Sequence, residues 1–193
     1  MSTSPTSSPL KSRDRLVATA TKLFYANGIN ATGIDTVIAE SGATKGSMYH
    51  HFHNKDGLVA AYLRGEADGW HEAATGVDDS SKGAVERVAL MFTIPATAIA
   101  TDSFHGCPFT NAMVERPADP AIAEIVSDYR RVMAAHVAEL IGADPEDTVV
   151  AQVVVLYDGG VTGAKQTRSA APVLTASAMA QELVRAWIEG RRG

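Results

Sequence analysis

Apolar residues recur along this chain at every third or fourth position, the spacing of one face of a helix. Leu16, Ala20, Leu23 and Phe24 form the first such stripe, on a helix expected from about Lys11 to Asn27 with Gly28 as the residue that ends it. Ile34, Val37 and Ile38 form a second stripe, cut off at Ser41-Gly42-Ala43. A short third segment then sets small, polar and basic residues beside Met48, Tyr49 and Phe52. Two short helices joined by a tight glycine turn make a helix-turn-helix, whose second helix can enter a DNA major groove.

The periodicity continues to the end of the chain. Asn54 is placed to cap a long fourth helix bearing Leu58, Val59, Tyr62, Leu63 and Trp70, fading near Gly76-Val77. A fifth helix from about Lys82 meets Pro95, which removes one hydrogen bond and crowds the carbonyl of Met91, so a kink or break is expected there. A sixth runs from about Cys107 to Glu115. Asp119-Pro120 and Asp144-Pro145 each join a capping carboxylate to a proline suited to a first helical turn, and so predict the seventh and eighth starts. The ninth begins near Pro172 and carries Ala176, Met179, Ala180, Leu183 and Trp187. Only the valine run 149–157, VVAQVVVLY, is ambiguous between helix and strand. The expectation is an all-α fold of about nine helices, with a disordered leader over 1–9, a DNA-binding head over 10–54 and a larger helical domain over 55–193. The last two helices are apolar around much of their circumference, which favours a subunit interface formed by Val150, Val154, Tyr157, Val161, Met179, Leu183 and Trp187.

Charge sharpens this picture. The 193-residue chain has a net charge of −5. Residues 1–60 hold Lys11, Arg13, Arg15, Lys22, Lys45 and Lys55 against Asp14, Asp35, Glu40 and Asp56, a balance of +2 that leaves −7 for the remainder. Phosphate attraction is therefore concentrated at one end. A single cysteine, Cys107, excludes an intramolecular disulfide, and no segment reads as a secretion signal or a membrane span. A cytoplasmic setting is expected.

At the helix-turn-helix the chain resembles the TetR family of transcriptional regulators. Arg13, Leu16, Ala20, Leu23, Phe24 and Gly28 fit the family's first helix. Thr32, Ile34, Val37, Gly42, Lys45, Gly46, Tyr49, His51, Phe52, Lys55 and Leu58 fit the rest of its signature. Ile38, Ser41 and Ala43 depart from the residues usual at those places. The resemblance implies a homodimer with two DNA-binding heads and C-terminal bodies that bind a small molecule and dimerise through their last two helices. A second resemblance lies at Gly106-Cys107-Pro108-Phe109-Thr110-Asn111, similar to a motif in TetR branches that answer to electrophiles, oxidants or lipophilic drugs.

The expected DNA contacts are Arg13, Thr32, Thr44, Lys45, Gly46, Ser47, Tyr49, His50 and Lys55. Tyr49 and His50 would hold phosphates, Lys45 a phosphate or a guanine edge, and Lys55 a phosphate at the start of the fourth helix. His50, His51 and His53 suggest a metal at first sight, but only His50 and His53 share a face and no Cys or carboxylate completes a set. Cys107 stands beside His105 without an orienting group or oxyanion site, so it is read either as core packing or as a thiol sensor at a helix N-terminus, with Lys165 a candidate amine partner. Met91, Phe92, Phe104, Phe109, Met113, Tyr129, Met133 and Tyr157 could line an adaptable apolar cavity or simply fill a core.

The sequence thus predicts a repressor on a palindromic double-stranded operator, released by an apolar or electrophilic small molecule or by modification of Cys107. No catalytic residue, cofactor or metal is assigned. A ligand-independent regulator or an activator is the alternative on DNA. A Cys107-dependent hydrolase or a small-molecule carrier is the alternative of another class.

Overall fold

The computed structural model describes residues 11–101 and 104–191, so the leader expected over 1–9 lies outside the described residues. All regular structure among these residues is helical. In chain order the helices are α1 (Ser12–Asn27), α2 (Ile34–Ser41), α3 (Lys45–Phe52), α4 (Lys55–Val77), α5 (Ala84–Met91), α6 (Thr93–Ile99), α7 (Pro108–Glu115), α8 (Pro120–Ile141), α9 (Thr148–Thr167) and α10 (Ala171–Gly190). The count exceeds nine because the expected break before Pro95 divides the fifth helix: α5 ends at Met91, and α6 takes the proline into its first turn.

Contacts divide the chain into two compact units, residues 1–62 and 63–193. The first unit is α1 to α3 with the opening turns of α4. The stripes read from sequence converge in its core, where Leu16, Ala20, Val37, Met48 and Leu58 have no exposed surface. Phe24 meets Tyr62 of α4 with ring centroids 5.7 Å apart, which carries this unit past the boundary expected at residue 54. Each of these leucine, valine and methionine side chains contributes about 1.5–3 kcal/mol relative to exposure.

The second unit is the rest of α4 with α5 to α10. α10 packs chiefly on α9 and on α5. The valine run is helical, inside α9: Val149, Val150, Val153, Val154, Tyr157, Val161 and Ala164 are all buried, and burial of that wide face overrides the β preference of valine. Asp119 caps α8 by accepting from the Ala121 and Ile122 N–H groups, as Asp119-Pro120 predicted. Asp144-Pro145 does not start α9. There the Asp147 carboxylate accepts from the Asp144 N–H and the Asp144 carboxylate from the Glu146 N–H, closing a separate turn, and the helix begins at Thr148.

Candidate nucleic-acid interface

The turn between α2 and α3 is built from short-range bonds. Gly42 ends α2 in the left-handed region at φ 62°, and the Ala43 N–H donates to the Ser41 hydroxyl at 3.2 Å. Thr44 caps α3, its hydroxyl accepting from the Ser47 N–H at 3.1 Å. Arg15 of α1 clamps the turn from behind, Nε donating to the Ser41 carbonyl at 3.1 Å and Nη2 to the Gly42 carbonyl at 3.2 Å. A further α1–α3 link joins the Ser12 and Ser47 hydroxyls at 2.7 Å. Sequence reading missed Arg15 and Ser12. The spacing from Arg15 to the turn, 26 residues, hides the contact until the helices are packed.

One face of α3 is anchored and the other is open. Met48 and Phe52 are buried, whereas Thr44, Lys45, Gly46, Tyr49 and His50 are exposed, Tyr49 by 41%. Lys45 lies 3.6 Å from Asp35, a pair so exposed that it holds the amine only weakly. Arg13 stands over the Phe52 ring at 5.8 Å and pairs with Asp14 at 3.7 Å, leaving it half exposed. Thr32 is different. It is buried, and its hydroxyl is committed to the Gly28 carbonyl at 2.8 Å and the Leu23 carbonyl at 3.3 Å, so it braces the α1–α2 loop.

The exit from α3 is equally tight. His53 adopts φ 62°, and the next residue, Asn54, accepts the Gly57 N–H on its side chain at 2.9 Å as the cap of α4. Lys55 then opens α4 at the same end of the unit. Among the described residues no group of three His, Cys, Asp or Glu side chains could hold a metal ion.

These features match known proteins. Residues 16–62 match the family described as bacterial regulatory proteins, tetR family. A solved TetR-family transcriptional regulator of Streptomyces coelicolor superimposes with a TM-score of 0.81 at 29% identity, covering 91% of this chain and 95% of the other. The chain is a member of the TetR family. Its similarity to the HTH-type transcriptional regulator YxaF of Bacillus subtilis extends over 182 residues at 26% identity, 90% of this chain and 95% of YxaF. The transcriptional repressor KstR2 of Mycolicibacterium smegmatis is 29% identical over 93 residues, 48% of this chain and 45% of KstR2. Reduced Escherichia coli NemR shares the fold, with a TM-score of 0.79 at 19% identity over 89% of this chain and 95% of NemR. The relatives are transcriptional regulators, and this chain is a TetR-family transcriptional regulator. No helix among the described residues is long and apolar enough to cross a membrane.

In the second unit the residues expected to line a cavity fall into two sets. Met91, Phe92, Phe109, Met133 and Tyr157 are buried core, and Phe109 stacks on Tyr129 at 3.8 Å. Phe104, Cys107 and Met113 are half-buried. Tyr129 lines a cleft between α4 and α8, and Phe104 a smaller one beside Lys165. Burial raises the phenol pKa of both Tyr129 and Tyr157, and the Trp70 indole donates to the Tyr157 hydroxyl at 3.1 Å. Cys107 sits at the N-cap of α7, and two residues before it the His105 carbonyl accepts from the Asn111 amide at 3.0 Å. Lys165 gives its amine to Asn111 Oδ1 at 2.7 Å.

The expected subunit face needs revision. Val150, Val154, Tyr157 and Val161 are already buried within one chain, because that side of α9 packs on its own neighbours. Leu183 and Trp187 are half-buried, with Arg191 over the Trp187 ring at 4.6 Å. The large apolar side chains of α9 and α10 that are exposed are Val155, Leu174 and Met179.

Proposed function

We propose that the chain is a repressor that binds a palindromic operator as a homodimer and lets go when its C-terminal unit takes up a small molecule or Cys107 is modified. The observation that carries the reading is the two-sided α3: Met48 and Phe52 fix it to the head, and Lys45, Tyr49 and His50 stand open to a groove. Thr44, Gly46, Ser47, Arg13 and Lys55 flank that face and supply backbone contacts. Thr32 drops out, since reaching a phosphate would break its two internal bonds. In this reading residues 10–54 read DNA and 55–193 bind effector and partner.

One head with so few cations binds weakly, so two copies are needed, with recognition helices ~34–36 Å apart in successive major grooves. Val155, Leu174 and Met179, with the small residues Gly159 and Ala171 between them, support a second copy as the cover for α9 and α10. Effector binding lowers operator affinity by the difference in its own affinity for the two states. Cys107 supports a thiol route through its half-exposed place at the N-cap of α7, next to the chain of bonds from His105 through Asn111 to Lys165.

Selecting DNA from a random pool and measuring the shift of the recovered site tests this. The expected result is an inverted repeat bound by two chains, with log affinity falling steeply against log salt. Binding without a salt slope, or by one chain, overturns it. Release by an oxidant that persists in Cys107→Ser removes the thiol route.

A further inference from the structure

The first turn of α1 touches the helix-turn-helix at three places. Arg15 donates to the Ser41 and Gly42 carbonyls at 3.1 and 3.2 Å, which holds the turn ahead of α3. Arg13 stands over the ring of Phe52, the last residue of α3, 5.8 Å from its centroid. Ser12, the first residue of α1, meets Ser47 in the opening turn of α3, with hydroxyl oxygens 2.7 Å apart across 35 residues of sequence. The first two contacts end on backbone and on an anchored ring. The third differs in kind, because it ends on a polar side chain beside the open face of α3.

Counting hydrogens defines what this pair can still do. A serine hydroxyl has one hydrogen to donate and two lone pairs to accept with. One hydrogen is used between the two oxygens, and neither hydroxyl has another partner among the described residues. One O–H of the pair is therefore left to donate. A helical serine can return its hydroxyl to the carbonyl one turn back. Ser47 does not: its N–H donates to the Thr44 hydroxyl at 3.1 Å, and its own hydroxyl is engaged with Ser12. Ser47 is half-buried, and Thr44, Lys45 and Gly46 before it are exposed.

We propose that Ser12 is a positioning residue for DNA binding: its hydroxyl donates to the Ser47 oxygen and so leaves the Ser47 O–H to donate to a phosphate oxygen of the duplex. The proposal rests on α3 as the helix that meets DNA and adds how one of its backbone contacts is set. A hydroxyl that already accepts a hydrogen bond is polarised by it and becomes the better donor. Fixing the Ser47 side chain before DNA arrives also removes part of the ordering cost of binding. The pair carries no charge, so it adds affinity without releasing counterions.

The experiment uses the full chain and the duplex recovered by selection from a random pool, rebuilt with each phosphate in turn replaced by a neutral methylphosphonate. On the unmodified duplex, Ser12→Ala and Ser47→Ala should each weaken binding about three- to tenfold. The double variant should bind no more weakly than Ser47→Ala alone, and Ser12→Thr, which keeps the hydroxyl, should bind as the wild type does. At one phosphate of each half-site, the wild-type penalty for methylphosphonate should shrink severalfold in both alanine variants and return in Ser12→Thr. The salt slope should stay unchanged throughout, and circular dichroism confirms that each variant is folded. Wild-type affinity in Ser12→Ala, or losses that add in the double variant, overturns the proposal. A uniform loss that leaves the phosphate profile intact overturns it as well, since that is what a merely structural bond produces. So does a slope that falls by about one unit, which would mean that Lys45 had moved. A penalty kept in Ser47→Ala and lost in Ser12→Ala gives the phosphate to Ser12 and reverses the roles. A wild-type chain that binds no duplex overturns the reading of α3 together with the proposal, whereas each other adverse outcome overturns the proposal alone.

Discussion

Gly57 backs directly onto Phe52: a methyl group on Gly57 would lie 2.1 Å from the Phe52 carbonyl oxygen. Nothing flexible stands between them, since the obstructing atom belongs to the backbone. Gly57→Ala should therefore destabilise the head by about 1–3 kcal/mol, despite the better helix propensity of alanine. Gly65, on the same helix, has open space where a methyl would go. Gly65→Ala should raise stability by about 0.5–1 kcal/mol. Urea unfolding of both variants checks the pair, and a common sign would refute the steric argument.

Arg15 makes its contribution through carbonyls at the turn. Arg15→Met keeps the aliphatic stem and removes the bonds to Ser41 and Gly42, at about 1 kcal/mol of stability. DNA affinity should fall more than stability does, because the turn sets where α3 points. Comparing denaturation with a binding isotherm, both at one salt concentration, separates the two losses.

Lys45 is exposed enough for its removal to leave the fold untouched. Lys45→Met should reduce the salt slope of DNA binding by about one unit if the amine meets a phosphate. If it reads a guanine, the slope changes less, and discrimination at one base pair drops by about 1–3 kcal/mol. Tyr49→Phe should weaken all sequences equally. Site preference that shifts in Tyr49→Phe would contradict its role at the backbone.

His136 gives stability a pH dependence of known sign. Burial lowers its folded pKa below the ordinary 6.5, so the unfolded chain binds the proton more readily. Its stabilising share is complete above 6.5 and is lost as pH falls through the lowered folded value. Groups facing it act in both directions, Asp78 and Glu139 raising the pKa, His71 and Arg87 lowering it. His136→Leu should flatten the stability profile between pH 7 and 5, as thermal melts across that range would reveal. An unchanged profile would mean that the imidazole does not titrate with unfolding.

The reading head was legible in the sequence because its signals are local. Thr44 beside Lys45, Gly42 after Ser41 and the stripe from Leu16 to Phe24 each act within a turn or two of helix. Arg15 and Gly57 were not legible, since their roles depend on how two helices approach. The apolar runs of α9 showed that a wide face is buried, but composition cannot say by what. Val150 and Val161 turned out to face their own chain, while Val155 and Met179 remain outside. Nothing local in the sequence shows that His136 is buried, or that its Nε2 has no hydrogen-bond partner among the described residues; both follow from how α8 packs.

His53 ends α3 in the left-handed region, and the Asn54 N–H closes on the Phe52 carbonyl at 2.7 Å. The recognition helix thus runs into α4 through residues that are bonded to one another rather than through a free linker.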